Sequence, residues 1–464
     1  MKLLTIELGS GATKAALWSD DGLVALSAAP VAAEHPRPGW VEEDPEAWWT
    51  STISACDALP ADDRRAVDAV GFSARRETFA VVTTAGEPIG PAIASSDRRA
   101  GDDVSALGAD FQVLTGVVPD AGTVAAKLAW MRRAEPERLE GPRWILGPRG
   151  LVAFRLTGRA IIDTSVASRT GLLALDGAGL EGAELLPEVV ASTTVVGGSL
   201  PEPSAALGIP PGTPVIAGAG DRACEVLGVA ATDARPLVLW DAAATSVSVP
   251  VGHVPPAIPG IVVTRGALGG YVMEADLSPA GSALSWLAQL AGRRPEDLAA
   301  EADAVDAGAA GLLALAWFGG ARAPWWEPRA GLTFAGLSAA HTTAHLARAL
   351  VEGVAFDAVR CLDRTSPNVV ELALAWEGAS MPLWRHVLAG AANRQVVARR
   401  HSEAASVGAA IIAGRAIGLE LDPDRLDPVA DRELPFDSDV VAYANLRMRH
   451  EMVARATIGG IAGH

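Results

Sequence analysis

The segment "VIAGAGDRACEVLGVAA", residues 215–231, holds the acid with the best-defined chemical setting in the chain. An apolar run ends in Gly218-Ala219-Gly220, and Asp221 then opens a helical pattern. The plain reading makes Asp221 an N-cap, a common use of aspartate. The same place also keeps a carboxylate ionised, in the positive field of a helix N-terminus. Beside backbone bare of side chains, such a carboxylate is suited to take a proton from a hydroxyl. A second set lies in "LTIELGSGATKAALW", residues 4–18. Glu7 stands near the end of a short apolar strand. The small-residue loop Gly9-Ser10-Gly11-Ala12-Thr13 follows, with Lys14 leading into the next strand. Backbone N–H groups in such a loop can hold phosphate without side-chain charge. Lys14 stands out because lysine occurs only as Lys2, Lys14 and Lys127.

The elements that must position these residues alternate in type. "AVDAVGFSA" and "TFAVVTTAGEPIG" read as strands around turns, while "EDPEAWWTSTISACDAL" and "TVAAKLAWMRRAEPERL" carry apolar residues at helical spacing. Asp44 is an N-cap candidate with Pro45 at the first helical position. Such alternation predicts α/β layers. The opening hairpin has an echo in "PLVLWDAAATSVSVP", where Thr245-Ser246 fall at the place of Thr13-Lys14. Two such hairpins predict two similar lobes facing one ligand, 1–232 and 233–464, with the boundary near "LGVAATDARP". "DPDRLDPVADRELPFDSD" reads as a surface loop before a final amphipathic helix.

Composition narrows the function. The 464 residues suggest two to four domains at a prior of roughly 150 residues each. A net charge of −17 argues against nucleic-acid binding, which needs clustered Lys and Arg. The longest apolar stretches, such as "AAGLLALAWFGG", are too short to cross a bilayer, so no membrane partner is expected. No cleavable leader is visible, and Cys56, Cys224 and Cys361 are scattered and odd in number. Both observations predict a reducing, cytoplasmic setting.

At this point the chain resembles a family, the FGGY carbohydrate kinases. "IELGSGATKAAL" is similar to their first phosphate motif, and "HPRPGWVEEDPEAWW" to their Pro-Gly-Trp-x-Glu signature. "GEPIGPAIASSDRRA" is similar to the segment ending in Asp-x-Arg, "RLTGRAIIDTSVASRTGLL" to the Leu-Thr-Gly…Asp…Ala-Ser run, and "GAGDRACEVLG" to the catalytic Asp loop. "GARAPWWEPRAGLTFAGLS" resembles the main signature of the second lobe, and "EGASMPLWRHVLAG" the adenosine motif. The resemblance runs in order from about residue 3 to 420. It implies two lobes of the ribonuclease H/actin type, with ATP and Mg²⁺ in the cleft and phosphoryl transfer to a sugar or polyol hydroxyl. It implies that Gly9, Ser10, Gly11, Thr13 and Lys14 hold the phosphates, and that Thr245, Ser246, Gly378 and Ala379 complete the nucleotide site. Glu7 and Asp221 would orient the metal, and Asp221 would be the base. The family often forms dimers, which leaves a homodimer open as the assembly.

Arg76 and Glu77 in "ARRETF" match the Arg-Glu pair that binds glycerol in the glycerol kinases. The aromatic walls of that small pocket are replaced here by Ser95 and Gly122, and the residue after the catalytic Asp is Arg222 rather than Gln. The expected acceptor is therefore larger or acidic: a pentulose, hexulose, tetritol or sugar acid held by Arg76, Glu77, Asp221 and Arg222. Other departures touch the nucleotide side. The first acid is Glu7 where the family has Asp, Ala244 replaces a Gly, and Trp376-Glu377-Gly378-Ala379 stands for Gly-Gly-Gly-Ala. These carry an alternative, a weak or inactive protein that senses sugar or nucleotide on the same scaffold.

Overall fold

The computed structural model describes residues 1–141, 143–240, 245–278 and 280–462. The first lobe is built on a seven-stranded sheet. Leu3–Leu8 pairs antiparallel with Ala12–Ser19, which pairs with Gly22–Pro30. On its other side Leu3–Leu8 runs parallel to Ala69–Ala74, followed by the parallel strand Pro214–Ile216 and an antiparallel edge, Val195–Gly198. The second lobe repeats this scheme on another seven-stranded sheet. Leu237–Trp240 pairs antiparallel with Thr245–Val251, and Thr245–Val251 pairs with Tyr271–Leu277. Leu237–Trp240 then runs parallel to Glu371–Ala375 and that strand to Gln395–Arg399, with Val429–Glu433 closing the edge antiparallel. The echo between the two hairpins is thus an echo of the whole ribonuclease H-type sheet. Ala244 and the rest of the loop 241–244 lie outside the described residues.

Local chemistry explains the elements. Leu3–Leu8 is buried along its length, as expected for a central strand covered on both faces. Helix Pro45–Asp57 starts on Asp44, whose side chain accepts from Glu46 N at 2.9 Å, with Pro45 at its first position. The segment read as a loop near residue 430 is instead a short helix, Pro423–Leu426, and the edge strand Val429–Glu433. Its charged, exposed residues, Asp431 and Arg432, masked the strand pattern. Such charges guard an open sheet edge against further pairing.

Helix Ala404–Ala416 joins the halves. It packs Ala405, Val407, Ala409 and Ile412 on Leu3, Ala16, Ala69 and Cys224 of the first lobe. Ser406 Oγ lies 2.7 Å from Thr5 Oγ1 and accepts from Trp18 Nε1 at 2.9 Å. No helix among the described residues is long and apolar enough to cross a membrane.

Candidate active site

Asp221 is the first residue of helix Asp221–Gly228, and Gly220 rather than Asp221 is the N-cap. Its Oδ1 accepts from Arg222 N at 2.7 Å, while its side chain stays a third exposed. The bend before it is held from below. Arg149 forms an ion pair with Asp163 at 2.6 Å and donates to the carbonyls of Ala217 and Gly218 at 2.8 and 3.1 Å. Gly220 N donates to Ser165 Oγ at 2.9 Å. Gly220 is also needed for space, because a Cβ there would sit 2.6 Å from Arg76 Cδ.

Arg76 leaves strand Ala69–Ala74 and is buried beside the base. Its Nε lies 3.0 Å from Asp221 Oδ1, and its Nη1 and Nη2 each donate to Glu274 at 2.7 Å. Burial works against the charge on Arg76, but Glu274 and Asp221 outweigh it and hold the guanidinium charged. Glu77 meets Arg169 at 3.3 Å, and Arg169 also donates to Asp276 at 3.1 Å. Burial would raise the Asp276 carboxyl, yet Arg169, Arg222, Arg322 and Arg76 together hold it down at about 2. Arg76 thus pairs directly with Asp221, while Glu77 pairs with Arg169 beside it.

Arg222 departs from the expectation of a cation offered to the acceptor. Its Nη1 donates to Glu225 Oε2 at 2.6 Å, and the side chain is buried. On a helix, positions three apart lie on one face, so Glu225 captures the charge that Arg222 carries. Thr13 is a second correction. Its buried Oγ1 lies 2.8 Å from Ser51 Oγ, on the side of the sheet away from Lys14. Alternation along strand Ala12–Ser19 sends neighbouring side chains to opposite faces, so Thr13 and Lys14 do not reach one phosphate together.

The tip of the hairpin is open to solvent. Gly9 N closes the turn on Ala12 O at 3.0 Å, Ser10 and Gly11 are exposed, and a Cβ on Gly11 would meet nothing within 4 Å. Glu7 lies directly across from Lys14 in the strand register. Burial pushes its carboxyl up to about 8; Lys14 opposes this, while Glu403, Glu225 and Asp221 add to it. Glu7 Oε2 is buried with no hydrogen-bond partner among the described residues. Lys14 Nζ sits 2.9 Å from Glu403 Oε2 and 4.4 Å over the Trp376 ring.

Trp376 follows strand Glu371–Ala375 at the carboxyl end of the second sheet, where open α/β sheets bind ligands. Its backbone, at φ 61° and ψ −153°, lies in a region that belongs to glycine. Its Nε1 donates to Glu225 Oε1 at 2.8 Å, so the indole bridges the lobes. Behind it, Gly378 and Ala379 are buried at the start of a short helix, where a Cβ on Gly378 would strike Trp240 and Trp384. Thr245 and Ser246 are buried on strand Thr245–Val251, and Ser246 Oγ has no hydrogen-bond partner among the described residues.

Glu225, Glu274, Asp276, Arg169 and Glu403 were not singled out from sequence as site residues, and Trp376 was noted only as a departure from the family motif. The signal for two of them was the pair of acids at alternate positions of the apolar strand "YVMEADL", which places both on one face.

Comparison with known proteins gives the family and the fold. Residues 2–228 match the N-terminal domain, and residues 244–417 the C-terminal domain, of the FGGY family of carbohydrate kinases. The chain is 28% identical over 477 residues to xylulose kinase of Escherichia coli (strain K12), covering 97% of each. It is 28% identical over 491 residues to glycerol kinase of Rhodopirellula baltica, covering 97% of this chain and 89% of that one. Among solved structures, xylulose kinase from Rhodospirillum rubrum superposes with a TM-score of 0.88 at 26% identity over 100% of both chains. Plasmodium falciparum glycerol kinase with ADP has the same fold, with a TM-score of 0.86 at 20% identity over 98% of each chain. Two family domains in order, on two matching lobes that meet at Asp221, show that the chain belongs to the FGGY family of carbohydrate kinases, which phosphorylate a sugar or polyol hydroxyl at the expense of ATP.

Proposed function

We propose that Asp221 is the general base of this kinase and that the acceptor is a neutral polyhydroxy compound larger than glycerol: a pentulose, hexulose or tetritol. The observation that carries the base is its open carboxylate: Oδ1 is engaged by Arg222 N and Arg76, and among the described residues Oδ2 accepts no hydrogen bond. The acceptor hydroxyl donates to that free oxygen, and its proton passes to Asp221 as the phosphoryl group arrives. Arg76 and Glu77 line the acceptor side. Charge matching supports a neutral acceptor over a sugar acid, since Arg76, Arg169 and Arg222 each already face a carboxylate.

The nucleotide lies on the other side of the base. Ser10 and Gly11 offer backbone to the phosphates, Lys14 offers charge, and Thr245, Ser246, Gly378 and Ala379 form the wall of the second lobe. The unpartnered Glu7 Oε2, with Asp221 nearby, fits Mg²⁺. No set of three or more close acidic, His or Cys ligands occurs among the described residues. Mg²⁺ keeps several waters and binds through one or two carboxylates, which Glu7 and Asp221 would provide. Bound there, Mg²⁺ supplies neutralisation of the charge on the phosphates. Three buried free cysteines support a cytoplasmic setting.

The test is ATP consumption over a panel of sugars, polyols and sugar acids. Asp221→Asn should cut turnover of the best acceptor by about 10²–10⁴-fold with the fold retained. Full activity in that variant refutes the assignment of the base. Trp376 favours a second reading, a sugar- or nucleotide-sensing member with weak turnover, because it occupies the approach to Lys14. Absence of turnover across the panel, with sugar binding retained, selects it.

A further inference from the structure

We propose that Glu274 and Asp276 of the second lobe are positioning residues for the acceptor site of the first, holding Arg76 and Arg169 so that Asp221 keeps one carboxylate oxygen free. The inference rests on Asp221 acting as base. Strand Tyr271–Leu277 places the two acids on one face, two residues apart. Each takes an arginine from the opposite lobe, and each arginine touches a second acid at the acceptor side. The result is two parallel relays across the cleft, Glu274–Arg76–Asp221 and Asp276–Arg169–Glu77.

The geometry of the first relay gives it a task. Glu274 is fully buried, and its Oε1 also accepts from Thr264 Oγ1 at 2.5 Å, which fixes the carboxylate. Both terminal nitrogens of Arg76 are drawn to Glu274 at 2.7 Å, so Arg76 presents only its Nε edge to Asp221 Oδ1. Without Glu274, Asp221 is the one carboxylate still within ion-pair distance of Arg76 among the described residues, with Asp276 acting only from further away. A bidentate Arg–carboxylate pair is the favoured geometry, and it would cover both oxygens of the base. A purely stabilising role explains the arrangement poorly, because buried ion pairs contribute little net stability over apolar replacements. Asp221, Arg76 and Glu274 come from helix, loop and opposite-lobe strand, so the base is open only while the lobes meet.

The experiment is Glu274→Gln, alone and beside Glu274→Asp and Asp221→Asn. In a crystal structure of Glu274→Gln, Arg76 should turn so that its terminal nitrogens reach both oxygens of Asp221; an unmoved Arg76 overturns the proposal. In kinetics with D-xylulose and with glycerol as acceptor probes, kcat should fall about 10- to 100-fold, the range for mispositioned groups. The acceptor KM should rise while the ATP KM stays within about twofold, and Glu274→Asp should recover part of kcat. Equal rises in both KM values together with a lower melting temperature mean a structural role only and overturn the proposal. An active Asp221→Asn would instead remove the base itself, a failure distinct from that of Glu274.

Discussion

Trp376 holds a backbone conformation that glycine adopts freely and that costs a bulky residue about 1–3 kcal/mol. The surroundings maintain it through the hydrogen bond to Glu225 and the ammonium of Lys14 over its ring. With the phosphates placed at Lys14 as proposed, their binding competes with that ring and with Glu403. In Trp376→Gly, nucleotide affinity measured by calorimetry should therefore rise roughly 2- to 30-fold, the equivalent of one cation–π contact of about 0.5–2 kcal/mol. An unchanged or weaker affinity would place the phosphates away from Lys14. The sequence marks residues 376–379 as a departure from the family without showing which way the indole turns. The backbone angle that turns the indole of Trp376 into the cleft is set by tertiary contacts.

Helix Val124–Ala134 shows how an element carries a site residue it does not contain. Its Lys127 is completely buried and donates to the carbonyls of Glu77 at 3.1 Å and Ala94 at 2.7 Å, tying down the loop that bears Arg76 and Glu77. Burial lowers the ammonium from 10.5 to about 8, against the opposing pull of Glu77, Asp97 and Asp120. The folded value lies below the unfolded one, so between these two values the unfolded chain binds more protons. The penalty for burying the charge is fully present below about pH 8 and is relieved as pH rises toward 10.5. Urea unfolding of wild type and Lys127→Met at pH 7.5 and at pH 10 checks this. Wild-type stability should gain roughly 2–3 kcal/mol relative to the variant at the higher pH, because each tenfold difference in proton affinity is worth about 1.4 kcal/mol. A relative loss, or no change, would show that the ammonium is not desolvated. The lysine was visible in the sequence as one of three; its partners, carbonyls 50 and 33 residues away, were not.

At the scale of the molecule, the two lobes are joined where helix Ala404–Ala416 crosses helix Asp221–Gly228. A Cβ on Gly408 would collide with the carbonyl of Cys224, and one on Gly228 with that of Ala404, so the crossing depends on a glycine from each helix. Gly408→Ala should lower stability by about 1–3 kcal/mol or more, read as a lower melting temperature. A melting temperature equal to that of the wild type would mean the helices separate without cost. The same crossing sets the N-terminus of the Asp221 helix against the cleft, so this variant should also lose turnover.

The sequence alone determined what local pattern can encode. The strand–turn–strand hairpins, the helix that Asp221 opens, the Asp44 cap and the α/β alternation all follow from periods of two and 3.6 and from turn residues. The ordered motifs pointed to two lobes with a nucleotide between them. Tertiary structure decided which side chains meet. It turned Arg222 onto Glu225, sent Thr13 to Ser51 rather than toward Lys14, and built an edge strand from Val429–Glu433. It also brought Glu274 to Arg76 across 198 residues of chain. Pairing at that separation leaves no local trace, because strand alternation limits a side chain to one of two faces, and only the packing of the two sheets decides what stands opposite.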